Sequence, residues 1–251
     1  MGESTDEGAE ARVERLRAWF GGPLGESLQA IEAHRLREIL PALPGTFAVQ
    51  CGWLGRRDLL ESSPTAVHLL VDPEPAAHGP QWVAGRSEAL PFDSKSVQVV
   101  VLPHALDLSE APHQLLREAH RVLVPEGHIV ILGFNAASLW RVPCLVRRRA
   151  HRAPWCGDWI GVRRLRDWLS LLDCELTHGA MLYYRPPLER QGWMDRLLFL
   201  ERMGDRWWPL GGAVYVLVAK KRVAGITPIR PVLRRARVRG LSQPAGARYG
   251  S

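Results

Sequence analysis

The sequence lacks any apolar run approaching the roughly 20 residues that a membrane-spanning helix requires. Its first residues, Met1 to Glu10, are acidic and small, with no basic region and no apolar stretch, so we expect no secretory signal. The four cysteines, Cys51, Cys144, Cys156 and Cys174, lie far apart and form no C-x-x-C pair. These absences argue against a disulfide framework and favour reduced thiols in a cytoplasmic protein.

The composition is that of a folded protein with an unevenly distributed positive charge. With 251 residues, 46% of them hydrophobic, the chain can bury one sizeable α/β core. Much of the net charge of +7 lies in Arg147 to Arg149 and in the tail from Arg230 to Arg248. This charge is interpreted either as a solvated surface with a flexible end or as a patch for nucleic acid or an anionic membrane face. The tail has few aromatic residues to stack on bases, which disfavours sequence-specific RNA recognition.

The apolar periodicity predicts helices and short buried strands in alternation. Helical spacing is present in Ala9–Phe20, Ser27–Leu40, Ser109–Leu123 and Val162–Leu172, with a further helix around Met194–Met203. Strands are predicted at Thr46–Gln50, Val67–Val71, Gln81–Ala84, Val97–Leu102, His128–Gly133, Cys174–Tyr183 and Ala213–Ala219. This alternation predicts a parallel sheet with right-handed crossovers and helices on both faces.

We predict three parts along the chain. Residues 1–45 form an N-terminal helical extension, and residues 46–222 form the main domain. That domain carries tryptophan-rich inserts, or a lid, at about 138–172 and 185–210. Residues 223–251 form a basic tail, which we expect to be flexible.

A succession of motifs in the middle of the chain is more specific than its composition. It consists of the loop Ser87 to Asp93, the apolar strand Val97 to Leu102, a helix leading to Arg121, the turn Pro125 to Gly127 and the strand His128 to Ile131. This order resembles the second half of a class I S-adenosylmethionine (SAM)-dependent methyltransferase of the methyltransferase type 11 group. The resemblance implies a Rossmann-like fold with a seven-stranded, mostly parallel sheet flanked by helices and an antiparallel last strand. It also implies SAM as the cofactor.

The cofactor is expected at the carboxyl ends of the strands, near the point where strand order reverses. After the first strand, the family places a glycine-rich loop against the methionine part of SAM. Here that motif is degenerate, because only Gly52 and Gly55 remain, and Gln50 and Trp53 stand where the family prefers small residues. Two glycines in a structural turn are the alternative interpretation.

Two further strand ends complete the cofactor site that the resemblance implies. Asp72 follows the second strand, where the family uses a carboxylate to accept hydrogen bonds from both ribose hydroxyls; an acidic turn residue is the alternative. The spacing from Gly52 to Asp72 also fits a dinucleotide site, which keeps a nicotinamide-dependent oxidoreductase open. After the third strand, the resemblance places Ser87, Glu88 and Leu90 against the adenine.

The catalytic candidates follow the fourth and fifth strands. His104 could act as a neutral general base, with a packed structural histidine as the alternative, and Asn135 could orient a polar atom of the substrate. Tyr183, Tyr184 and Arg185 could line the substrate entrance. No metal site is predicted, because His113 and His120 share a helix face without a third ligand. No triad is required either, since the leaving group of methyl transfer departs as a neutral thioether.

The turn at Pro125 to Gly127 differs from the common Pro-Gly-Gly of the family. A type I turn with Gly127 in the left-handed region is expected, since a type II turn would give Glu126 a positive φ.

The first functional hypothesis is a SAM-dependent methyltransferase acting on a small molecule or another accessible nucleophile. The second is a non-catalytic protein of the same fold that binds a partner through its basic surface. The acceptor and the oligomeric state are not specified by these residues.

Overall fold

The computed structural model describes residues 3–55, 58–74, 81–141, 159–186 and 211–222. The helices are α1 (Glu3–Phe20), α2 (Pro23–Ile39), α3 (Ala105–Leu108), α4 (Pro112–Val122) and α5 (Val162–Leu171), with 3₁₀ turns at Leu40–Ala42 and Leu139–Arg141. The strands are β1 (Phe47–Cys51), β2 (Val67–Asp72), β3 (Gln81–Ala84), β4 (Val97–Pro103), β5 (Leu123–Phe134), β6 (Cys174–Leu182) and β7 (Val214–Lys221). The predicted helix around Met194–Met203 and the tail 223–251 lie outside the described residues.

The seven strands form one sheet in the order β3-β2-β1-β4-β5-β7-β6. Strands β1 to β5 pair in parallel, whereas β7 is antiparallel to both β5 and β6. The predicted fold class is therefore confirmed, including the antiparallel last strand between the fifth and the sixth. Strand order reverses between β1 and β4. Because β1, β2, β4 and β5 are parallel, their carboxyl ends lie along one edge of the sheet.

The two faces of the sheet are covered by different helices, as alternation along the strands requires. Val99 and Val101 of β4 face a core that includes α1 and α2, whereas Val100 and Leu102 face α4 and α5. Thus the helices predicted as an N-terminal extension pack directly on the sheet. Among the described residues, no helix combines the length and apolar character needed to cross a membrane.

The turn inside β5 differs from the prediction. Glu126 adopts φ +64°, and Gly127 does not take the left-handed conformation. Gly127 is needed for close approach instead, because a Cβ there would lie 3.0 Å from the Gln98 and Val124 carbonyl oxygens. The Glu126 carboxylate forms an ion pair with Lys220 Nζ at 2.6 Å.

The start of α4 also differs from the prediction. The helix begins at Pro112 rather than near Ser109, and the short helix α3 precedes it. The Ser109 hydroxyl accepts from the Ala111 N–H at 3.1 Å and donates to Glu88 at 2.6 Å, so it ties the start of α4 to the loop after β3.

The close contact between α1 and α2 requires a residue without a side chain at Gly25. Gly25 is buried, and a Cβ there would overlap backbone atoms of Trp19 and Phe20. Gly25→Ala should therefore lower the free energy of unfolding by about 1–3 kcal/mol in spite of the better helix propensity of alanine. Chemical denaturation measures this. Gly21→Ala is the matched control, since its nearest contact would be an ordinary 3.4 Å; equal stability of the two variants would contradict the packing argument.

Candidate cofactor site

Asp72 is the last residue of β2. Its carboxylate is buried, and one of its oxygens, Oδ1, accepts two hydrogen bonds. The residue is 3% exposed. Its Oδ1 accepts from Arg17 Nη2 at 2.7 Å and from the Glu74 N–H at 3.0 Å, and its Oδ2 accepts from the Trp53 N–H at 2.9 Å. Asp72 therefore accepts hydrogen bonds from α1, from the loop after β1 and from the loop after β2.

Arg17 is the unexpected member of the site. Besides binding Asp72, its Nε donates to the Trp53 carbonyl at 3.0 Å, and its Nη1 forms an ion pair with the Glu74 carboxylate. The guanidinium therefore connects α1 with the loops after β1 and β2. No signal in the sequence pairs residue 17 with residue 72.

The loop after β1 has room for a ligand at one glycine but not at the other. Gly52 adopts φ +91°, and no heavy atom of the described residues lies within 4 Å of the position of an added Cβ. At Gly55, by contrast, a Cβ would overlap the side-chain amide of Gln29 in α2. The structure therefore explains Gly55 by helix packing, while Gly52 offers an open backbone surface.

Gln50 presents a buried polar atom beside this loop. The residue is 1% exposed, and its Nε2 donates to the Gly52 carbonyl at 2.9 Å. Within the described ranges, its Oε1 has no hydrogen-bond partner. A buried acceptor without a donor is costly, so a donor from a bound molecule would satisfy it. Together with Gly52 and Asp72, this atom fits a polar ligand such as SAM.

The loop after β3 is anchored by two charged residues of α4. Glu118 Oε1 accepts from the Leu90 N–H at 2.9 Å, and Arg121 Nη2 donates to the Leu90 and Phe92 carbonyls at 3.1 and 3.0 Å. The hydrogen bonds from Arg121 hold the pKa of Glu118 below its usual value in spite of desolvation. Arg121, a residue of the motif in the middle of the chain, therefore supports this loop.

Leu90 is buried, whereas Ser87 and Glu88 are half-buried. Leu90 is 4% exposed and packs against the β1 and β2 core. Burial raises the pKa of the Cys51 thiol at the end of β1 to about 12, and the charge of Glu88 adds to this effect. Cys51 is therefore an unreactive protonated thiol at neutral pH.

His104 is buried and bonded to a carboxylate at each ring nitrogen. The residue is 1% exposed; its Nε2 lies 2.8 Å from Glu32 Oε1 and its Nδ1 lies 3.2 Å from Asp107 Oδ2. Burial alone would lower the pKa of His104, but the charge of Glu32 and the hydrogen bonds to Asp107 and Glu32 outweigh burial and raise it to about 9. An imidazolium has no lone pair to accept a proton, so this environment favours the alternative of a structural histidine, and the role of a general base stays a prediction without support from these contacts.

The position of Glu32 in α2 offers a signal that sequence reasoning missed. Glu32 lies four residues after Leu28 and four before Leu36, and all three are buried. An acid in an apolar stripe at helical spacing predicts a buried partner for its charge.

Asn135 is held by the backbone around it. Its Nδ2 donates to the Gly212 carbonyl at 2.9 Å, and its Oδ1 accepts from the Ala137 N–H at 3.0 Å. The residue is 3% exposed. The amide thus fixes the turn after β5, and the predicted role in orienting a substrate gains no support from this arrangement.

The residues proposed for the substrate entrance pack against aromatic side chains. Tyr183 is 1% exposed and meets Trp140 at 5.0 Å between ring centroids. The Arg185 guanidinium lies 4.6 Å from the Tyr183 ring centroid, and Arg185 is 5% exposed. This cluster is part of the core in the described structure.

The structure brings together Gln50, Gly52, Trp53 and Asp72 at adjacent ends of β1 and β2. His104 and Asn135 lie at the ends of β4 and β5, where each is bound to protein groups. The candidate site is therefore the cleft edge formed by the first two strands and the loop Ser87 to Leu90.

Comparison with known proteins shows what the fold and the middle of the chain are similar to. The fold is that of the class I methyltransferases: a SAM-dependent methyltransferase from Thermotoga maritima superimposes with a TM-score of 0.53 at 14% identity, covering 78% of this chain and 91% of that one. Residues 59–131 match the family model of the type 11 methyltransferase domain. This part of the chain is therefore similar to that methyltransferase domain.

Two sequence relatives extend this comparison. Over 152 residues, the chain is 34% identical to YafS, an uncharacterized protein of Escherichia coli K12, with 60% of each protein covered. Over 58 residues, 23% of this chain and 20% of the relative, it is 31% identical to the mitochondrial 2-methoxy-6-polyprenyl-1,4-benzoquinol methylase of Caenorhabditis elegans. The chain thus matches less than two thirds of the length of either relative.

The buried imidazolium generates a prediction about pH. Because the pKa of His104 is raised from 6.5 to about 9, its contribution is complete below about pH 6.5 and is lost as the pH rises through 9. The free energy of unfolding should fall over this range by an amount on the order of 3 kcal/mol. Urea denaturation at a series of pH values measures this. In His104→Gln the decrease should largely disappear, whereas in His34→Gln, at an exposed position of α2, it should persist; identical curves for wild type and His104→Gln would contradict the assignment.

Proposed function

We propose that this protein is a SAM-dependent methyltransferase that transfers a methyl group to a small-molecule acceptor. The observation that carries the proposal is the buried Asp72 carboxylate at the end of β2, beside the open backbone of Gly52. The methyltransferase domain match and the name of the C. elegans relative, a methylase, support the same reaction class.

Each part of the cofactor would be held by a different strand end. Asp72 would accept the ribose hydroxyls, and Gly52 and the free Oε1 of Gln50 would meet the methionine portion. Ser87, Glu88 and Leu90 would contact the adenine. When bound, SAM supplies a methyl group activated by a positively charged sulfur. The protein then has to orient the acceptor in line with that methyl group and exclude water.

The role of the loop Ser87 to Leu90 depends on its support by α4. Glu118 and Arg121 satisfy the backbone of Leu90 from both sides, so the loop is preorganised. Preorganisation lowers the entropy cost of binding a flat ring against this segment. The loop Ser87 to Leu90 would therefore recognise the adenine, and Glu118 and Arg121, which lie outside the site, would keep this loop rigid.

Ligand-dependent thermal unfolding tests the proposal. SAM and S-adenosylhomocysteine should each raise the melting temperature, with about 2.7 kcal/mol of added stability at one hundred times the dissociation constant, whereas NAD should not. A shift with NAD alone would indicate an oxidoreductase. No shift with any of the three at millimolar concentration would favour the non-catalytic alternative.

Asp72→Asn tests the residue that carries the proposal. The substitution keeps the shape of the side chain but removes the charge and one acceptor, so the affinity for S-adenosylhomocysteine should fall about tenfold to a hundredfold. Calorimetric titration measures the affinity. Asp167→Asn is the matched control, since Asp167 is exposed on α5. Unchanged affinity in Asp72→Asn would refute the ribose role.

A further inference from the structure

The guanidinium of Arg17 donates to Asp72 Oδ1, an oxygen that the ribose of the proposed cofactor would need as an acceptor. Arg17 Nη2 lies 2.7 Å from Asp72 Oδ1, and Arg17 is 28% exposed at its side chain against 4% for Asp72. Within the described part of the chain, the Arg17 side chain donates to Trp53, Asp72 and Glu74, which lie at the end of β2 and in the loops after β1 and β2. Arg17 is therefore a component of this site supplied by the N-terminal helix.

We propose that Arg17 competes with the ribose of the cofactor for Asp72 and thereby sets the affinity of the site. The inference rests on the proposed function. Binding of the adenosyl group requires the guanidinium to leave Asp72 Oδ1, so the protein without ligand is held in a closed state by its own side chain.

The number of acceptor positions on Asp72 leads to this conclusion. A carboxylate offers about four lone-pair positions, and three are already used by Arg17, the Glu74 N–H and the Trp53 N–H. Two ribose hydroxyls require two positions, so one present donor has to leave. The two N–H donors belong to the backbone of the site loops, whereas Arg17 is a flexible side chain. Arg17 is therefore the donor that leaves.

Glu74 provides the released guanidinium with a second partner. Its side chain is 73% exposed and already pairs with Arg17 Nη1. A rotation of the outer part of the Arg17 side chain toward Glu74 would free Asp72 while the guanidinium keeps a charged partner, and the ribose hydroxyls would replace Arg17 as donors to Asp72. Leu16 and Phe20, which flank Arg17 on α1, are 4% and 1% exposed, so the helix itself stays packed on the sheet.

Calorimetric titration of the full-length chain with S-adenosylhomocysteine tests the inference. Arg17→Ala and Arg17→Gln should each bind about tenfold more tightly than wild type, because a charge-assisted hydrogen bond no longer has to be broken. Both should also melt at a lower temperature without ligand, since Asp72 loses a donor. Arg15→Ala, at an exposed position of the same helix, should bind like wild type.

The outcomes separate the inference from the proposed function. Wild-type binding combined with equal or weaker binding by both Arg17 variants would overturn the competition, because a purely structural role predicts a loss of affinity. Glu74→Gln gives a second measurement: it removes the alternative partner, so binding should weaken, and tighter binding would overturn the proposed path of release. Absence of binding in wild type and in every variant would refute the proposed function itself.

Discussion

A buried carboxylate at the end of a parallel strand has to be supplied with hydrogen-bond donors, and this constraint on Asp72 organises the candidate site. Two donors are backbone N–H groups of Trp53 and Glu74, so the loops after β1 and β2 are fixed by the same side chain. The third donor is Arg17, so the same carboxylate also binds the N-terminal helix α1. An unpaired charge at 3% exposure would be strongly destabilising, which is why the unliganded protein recruits a guanidinium there.

The N-terminal helices consequently have two roles. Their apolar faces cover one side of the sheet, and their polar residues reach its carboxyl edge through Arg17, Gln29 and Glu32. Glu32 pairs with His104, whose other nitrogen meets Asp107, and Asp107 also accepts from the Phe134 N–H at 2.9 Å. This network joins α2 with the ends of β4 and β5, and it holds the His104 ring at both nitrogens.

The sequence allowed the sheet to be predicted because its strands are short apolar runs bounded by turn residues, as in Val67–Val71 and Val97–Leu102. It also placed Asp72 correctly at a strand end, because this depends only on local pattern. The contact between Arg17 and Asp72 could not be predicted, since it joins helix and strand residues 55 positions apart. Glu126 was assigned the wrong backbone conformation because the close approach of Gly127 to Gln98 is a tertiary contact. The charge of His104 likewise depends on Glu32, 72 positions away.

The central claim is that the Asp72 carboxylate exchanges Arg17 for the ribose of an adenosyl cofactor. A crystal structure of the full-length protein with S-adenosylhomocysteine tests it most directly. The account predicts both ribose hydroxyls within hydrogen-bond distance of the Asp72 oxygens, with the Arg17 guanidinium moved to Glu74. An adenosyl group bound elsewhere, or bound while Arg17 remains on Asp72 Oδ1 and the ribose contacts other residues, would contradict it.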